Sequence, residues 1–211
     1  MTLLLLPATP GLAASATCYG PARADVALIY LHGLDNPRIG AHERENRKML
    51  RRLAEQRGWR IAVPRGNGFC RGGRRQCWKI GDAATVRGTW QYIRAATSSC
   101  FRPEHKPGLF GFSNGGFYAA ALYSLCLAET GPAWILAGGS AGARGFQPRT
   151  GSRCPTMGLM MGKKDITLPR ARRWVDGLQR RGIRVPLRLF SGGHVIDQAT
   201  LIRMVQEAGP Q

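Results

Sequence analysis

Leu109-Phe110-Gly111-Phe112-Ser113-Asn114-Gly115-Gly116-Phe117-Tyr118-Ala119-Ala120-Ala121-Leu122 is the stretch from which the chain is best read. An apolar run leads into Gly111-Phe112-Ser113-Asn114-Gly115, and the residues behind it favour a helix. A serine at a tight strand-to-helix turn, with glycine two residues to either side, is the nucleophile-elbow pattern. The small residues let backbone pack against backbone, and the turn lifts the hydroxyl clear of the sheet. The helix N-terminus behind it favours developing negative charge. Gly138-Gly139-Ser140-Ala141-Gly142 fits the same pattern, so context has to choose. Gly142, Gly145 and Pro148 follow Ser140 and break any helix there. Ser113 is therefore the candidate nucleophile, and Ser140 marks the loop leaving the next strand.

Working outward, Val26-Ala27-Leu28-Ile29-Tyr30-Leu31 is a continuous apolar run, as in a strand buried on both faces. A helix is predicted over 42–57, stopped by Gly58, and a strand over 60–63, ended by Pro64. A loop rich in glycine, arginine and cysteine occupies 66–80. Asp82 caps a helix reaching about residue 96, and strands follow at 107–112, 134–137, 157–161 and 185–190. Helices are expected at 115–128, 169–181, opened by Pro169, and 195–208. Strands alternating with helices imply right-handed crossovers and a mostly parallel sheet. With 211 residues and no repeat or inserted lid, one α/β domain is expected.

A serine hydroxyl needs a base within hydrogen-bond reach. Of the four histidines, His42 opens a charged helix and His105 lies in a proline-flanked loop. His194 sits in Ser191-Gly192-Gly193-His194, just after the last strand, on a loop able to present a side chain. The imidazole in turn needs a carboxylate to fix its tautomer. Asp165, in Gly162-Lys163-Lys164-Asp165, leaves the same sheet edge as Ser113 and His194. Asp176 falls within a helix, and Asp197 reads as the cap of the last one. An oxyanion hole needs backbone N–H groups. One is expected from Asn114, the other from the loop Leu31-His32-Gly33-Leu34-Asp35 after the first strand.

These elements, a His-Gly pair, a Gly-x-Ser-x-Gly elbow, an acid loop and a histidine loop in that order, resemble the α/β-hydrolase superfamily over residues 26–197. The resemblance implies that His32 is structural and that the Leu34 N–H is the second oxyanion donor. Cys77-Trp78 looks like a pair carried by small secreted esterases similar to feruloyl esterases and polyhydroxyalkanoate depolymerases. Members often have two antiparallel strands before the His-Gly strand, and residues 17–25 are too few for both. A trimmed sheet of about six strands, helices on both faces and no lid is the expectation, with the oligomeric state open. Within this fold Cys70 and Cys77 share one loop, while Cys18 and Cys100 precede neighbouring strands. Cys126 and Cys154 fall at the same far edge, which implies the pairings 18–100, 70–77 and 126–154; Cys126 as a buried free thiol is the alternative.

Loop 66–80 leaves the catalytic edge, which makes Phe69, Arg74, Arg75 and Trp78 candidate substrate-binding residues; a disulfide-pinned surface loop is the alternative. Lys and Arg number 31 against 12 Asp and Glu, a net charge of +19. The basic residues are scattered along the chain with no basic tail, so no specific nucleic-acid partner is expected. Leu3 to Leu6 open an apolar segment that ends in Ala14-Ser15-Ala16, a signal-peptide pattern over 1–16 before the hydrolase domain at 17–211. It is too short and too proline-broken to span a bilayer. An even count of six cysteines agrees with an oxidising, secreted or periplasmic setting. No metal-ligand spacing appears and no cofactor is implied. The expectation is a secreted serine hydrolase acting on a small or polymeric carboxylic ester through an acyl-enzyme. A peptidase or amidase on the same fold, and a non-catalytic binder of anionic partners, are the alternatives.

Overall fold

Apolar runs of five to seven residues form the inner strands of the sheet because both of their faces are covered. In β2 (Ala27–Leu31), Leu28 and Tyr30 join the core on one side of the sheet, and Ile29 and Leu31 the core on the other. That two-residue alternation is what a pleated strand imposes. This computed structural model describes residues 15–35, 40–70, 73, 75–127, 130–143, 145–149, 151 and 154–209. Of the segment 1–16 read as a signal, residues 1–14 lie outside the described residues, as does Arg74.

The remaining strands are β1 (Ala16–Tyr19), β3 (Arg60–Pro64), β4 (Gly68–Cys70), β5 (Arg75–Cys77), β6 (Gly108–Phe112), β7 (Trp134–Gly138), β8 (Thr156–Gly162) and β9 (Leu187–Phe190). The central sheet has seven strands in the order β1-β3-β2-β6-β7-β8-β9. All neighbours are parallel except β1, which runs antiparallel to β3. The strand that leads into Ser113, β6, is central. Helices α1 (Ala41–Arg57) and α5 (Gln198–Ala208) pack Leu50, Leu53, Leu201 and Met204 on one face. On the other face α2 (Ala83–Thr97), α3 (Asn114–Leu125) and α4 (Leu168–Gln179) supply Trp90, Ile93, Tyr118, Leu122 and Leu178.

The helix stops are local. Gly58 takes a left-handed φ of 65° after α1, a conformation a side chain disfavours. Asp82 and Asp197 accept the N–H groups of Thr85 and Thr200, both at 2.8 Å, as N-caps of α2 and α5. The helix after the elbow ends at Leu125 rather than 128, because Cys126 turns left-handed and joins Cys154.

Two features go beyond the expectation. The sheet holds one strand more than about six: β1 needs only four residues, and it is held by the Cys18–Cys100 disulfide beside it. The Arg60 guanidinium reinforces this corner by donating to Gly20 O (2.6 Å) and Cys100 O (2.7 Å). Loop 66–80 contains a hairpin, β4 against β5, closed by Cys70–Cys77. All three disulfides match the pairings expected from the fold. Among the described residues, no helix is long and apolar enough to cross a membrane.

Candidate active site

The elbow is built by close backbone approach. Ser113, between β6 and α3, has φ 53° and ψ −114°, a region that costs a non-glycine residue about 1–3 kcal/mol. A Cβ on Gly111 would lie 2.1 Å from Gly115 O, and one on Gly115 would lie 2.1 Å from Leu31 O. Only glycine fits either place. The Ser113 N–H donates to Gly138 O (2.8 Å) and the Gly115 N–H to His32 O (3.1 Å), tying the turn to both neighbouring strand ends.

Three side chains from separate strand ends meet there. Ser113 Oγ lies 3.0 Å from His194 Nε2, and His194 Nδ1 lies 2.8 Å from Asp165 Oδ2. An ionised carboxylate only accepts, so Nδ1 carries the hydrogen and Nε2 is left to accept from the serine hydroxyl. The second carboxylate oxygen is also occupied: Thr167 donates to Asp165 Oδ1 from its N–H and its hydroxyl, both at 2.8 Å. Burial pushes the Asp165 carboxyl up, but the two Thr167 donors and the His194 ring outweigh it and hold the group below its ordinary value. The acid and histidine loops are joined by their backbones, Lys164 N–H to Gly192 O (2.7 Å) and Lys163 N–H to Phe190 O (2.9 Å).

His32 is fully buried in the loop beside the serine. Gly66 N–H donates to its Nε2 (3.0 Å), so Nδ1 bears the hydrogen and donates to Gly33 O (2.6 Å). Burial lowers its pKa, outweighing the Gly33 carbonyl that favours the proton. Gly33 packs against the elbow, since a Cβ there would meet Ser113 Cβ at 3.1 Å. Leu34 follows it directly. Asn114 opens α3, so its N–H has no acceptor within the helix.

No protein-family model and no curated protein matches this sequence. Solved structures do. A carboxylesterase from Mesorhizobium loti superposes with a TM-score of 0.67 at 22% identity, covering 97% of this chain and 99% of that one. Esterase PE8 gives 0.65 at 18% identity over 93% and 100%. The Bacillus cereus carboxylesterase gives 0.61 at 14% identity over 93% and 94%. The chain has the α/β-hydrolase fold.

Within this α/β-hydrolase fold the other expected residues divide. Trp78, expected at the substrate site, is a core side chain. It is fully buried, and its indole N–H donates to His32 O at 2.9 Å. A buried indole needs such an acceptor, and the one available belongs to the loop beside the serine. Phe69 is 65% exposed on β4, and Arg75 is half-buried on β5, opposite Cys70. Ser140, the rival serine, is fully buried with no hydrogen-bond partner for its Oγ among the described residues. Its hydroxyl has no exposed surface.

Two residues of the site go unnoticed in the sequence. Thr167, two residues after Asp165, is the kind of local partner an Asp-x-Thr spacing signals. Gly139, from the rejected serine frame, takes φ 58° against His194; a Cβ there would lie 2.8 Å from the imidazole Cε1. No local signal marks it, since its neighbour is 55 residues away in the chain.

Proposed function

We propose that this protein is a serine hydrolase of carboxylic esters. The observation that carries this reading is the Asp165–His194–Ser113 relay at 2.8 and 3.0 Å, with the serine on a strained elbow. Ser113 Oγ attacks the ester carbonyl carbon while its proton passes to His194 Nε2. Asp165 holds the Nδ1–H and stabilises the imidazolium. The Asn114 and Leu34 N–H groups receive the developing oxyanion. The tetrahedral intermediate collapses, the alkoxide leaves with the proton from His194, and an acyl-enzyme remains. Water, deprotonated by the same imidazole, releases the acid and regenerates Ser113.

The α/β-hydrolase fold shared with an esterase and two carboxylesterases supports an ester rather than another acyl donor. Three disulfides support an oxidising compartment, consistent with export. Phe69, exposed, and Arg75, half-buried, on the β4–β5 hairpin, are proposed as part of the rim that a substrate crosses.

The test is labelling with a fluorophosphonate together with turnover of 4-nitrophenyl acetate. The wild type is expected to label and to hydrolyse, Ser113→Ala to do neither, and Ser140→Ala to behave as wild type. Labelling retained in Ser113→Ala overturns the assignment.

A further inference from the structure

We infer that the tripeptide Gln76-Cys77-Trp78 is a strut that positions both oxyanion donors, so that the Asn114 carboxamide and the Cys70–Cys77 disulfide set the rate without touching substrate. The inference rests on the reading of Ser113, Asn114 and Leu34 given above.

The strut reaches the two donors by separate connections. On one side, Gln76 forms an isolated antiparallel bridge with Asp35: Asp35 N–H donates to Gln76 O (3.1 Å) and Gln76 N–H to Asp35 O (2.9 Å). Asp35 directly follows Leu34. The residue before Leu34 is held as well, since Gly33 O accepts from His32 and Gly33 packs on Ser113. The Leu34 peptide is thus clamped from both ends.

On the other side, the backbone of Trp78 is clasped by the Asn114 side chain. Trp78 N–H donates to Asn114 Oδ1 (2.7 Å), and Asn114 Nδ2 donates back to Trp78 O (3.4 Å). An amide that engages both polar groups of one residue cannot rotate without breaking both bonds. This fixes the peptide carrying the Asn114 N–H relative to Ser113. The Trp78 indole closes the frame, because its target, His32 O, also accepts the Gly115 N–H.

Between these connections stands Cys77, fully buried and bonded to Cys70 across the hairpin. Gly66 packs on its backbone, where a Cβ would lie 2.7 Å from Cys77 O. The disulfide closes only a short loop, with a sequence separation of 7, whereas Cys18–Cys100 spans 82. Stabilisation by loop closure grows with loop length, so Cys18–Cys100 should contribute more to stability than Cys70–Cys77. If the strut positions the donors, their order of importance for catalysis is the reverse.

The experiment compares Asn114→Ala, the pair Cys70→Ser/Cys77→Ser and the pair Cys18→Ser/Cys100→Ser with wild type. It reads kcat and KM on 4-nitrophenyl acetate, inhibition by an alkyl trifluoromethyl ketone, whose hemiketal oxyanion occupies the same hole, and thermal melting. Asn114→Ala keeps its N–H, so any effect comes from lost positioning. Outright loss of one donor costs about 10²–10³-fold in kcat. The first two variants should therefore lose about tenfold or more in kcat with KM changed less than about twofold, below the loss from deleting a donor. Their affinity for the ketone should fall in step with kcat/KM, and their pH profile should stay that of wild type, since His194 and Asp165 are untouched. The Cys18/Cys100 pair should melt lower than either yet keep its kcat. An active wild type with Asn114→Ala and Cys70→Ser/Cys77→Ser both within twofold in kcat overturns the inference alone. A loss of kcat with ketone affinity unchanged also overturns it. A wild type that neither labels nor turns over ester overturns the reading of the site, and this inference with it.

Discussion

Replacing Asp165 by asparagine should slow ester turnover by about 10⁴-fold, the loss measured for the equivalent change in a serine protease. The geometry here gives a reason to expect the full effect. Asp165 Oδ1 is the acceptor for the Thr167 N–H and hydroxyl, and the N–H cannot turn away because it belongs to the turn entering α4. In the Asp165→Asn variant the remaining side-chain oxygen is therefore drawn to Thr167, and the new NH₂ faces His194 Nδ1, 2.8 Å away. Nδ1 must then accept, so the ring proton moves to Nε2. In that tautomer His194 cannot take the proton from Ser113. A factor of 10⁴ corresponds to about 5.4 kcal/mol of transition-state stabilisation. The assay is kcat on 4-nitrophenyl acetate, with proton NMR of the imidazole reporting which nitrogen bears hydrogen. Activity of the Asp165→Asn variant within tenfold of wild type, with Nδ1 still protonated, would refute this account of the tautomer.

Gly139→Ala places a methyl 2.8 Å from His194 Cε1 and 3.0 Å from Nδ1, at a backbone φ of 58°. The imidazole must shift, and kcat should fall about a hundredfold, as for other displacements of about 1 Å; circular dichroism melting separates this from unfolding. His32 bears on the acid limb of stability. Its folded pKa lies below the ordinary value of 6.5, so as pH falls past about 6.5 the unfolded chain takes up a proton that the folded one refuses. Stability present above that pH is lost below it, by at most about 1.4 kcal/mol per pH unit from this one group. Urea unfolding between about pH 7.5 and 5.5 should show this slope, and His32→Asn should flatten it. Asp165 acts lower on the scale: its depressed pKa adds stability above the usual carboxylate range, lost as pH falls through the folded value.

Much of this architecture is legible along the chain because it depends on local patterning. The strand-elbow-helix signal around Ser113, the apolar run at 27–31 and the caps Asp82 and Asp197 are each decided within a few residues. Ser113, Asp165 and His194 directly follow β6, β8 and β9, which places all three on one sheet edge. Chain order could not show that they come within hydrogen-bond reach, but it could show that a parallel sheet would present them together.

Residues whose partners are distant in sequence are a different matter. Trp78 reads as pocket wall because it is aromatic and lies in a loop leaving the right edge. Only the folded packing shows the ring buried, with its N–H spent on His32 O. β1 escapes notice because four residues carry little pattern until β3 and Cys100 stand beside them. Gly139 looks like part of a failed second elbow and instead makes room for His194. Along the chain alone, Ser113, Asp165 and His194 can be read onto one edge of a parallel sheet, because each directly follows an apolar strand and the alternation of strands with helices makes the strands run the same way. Tertiary structure decided how Asn114, Trp78 and Asp35 are held around the serine, because those bonds join segments whose approach no local pattern encodes.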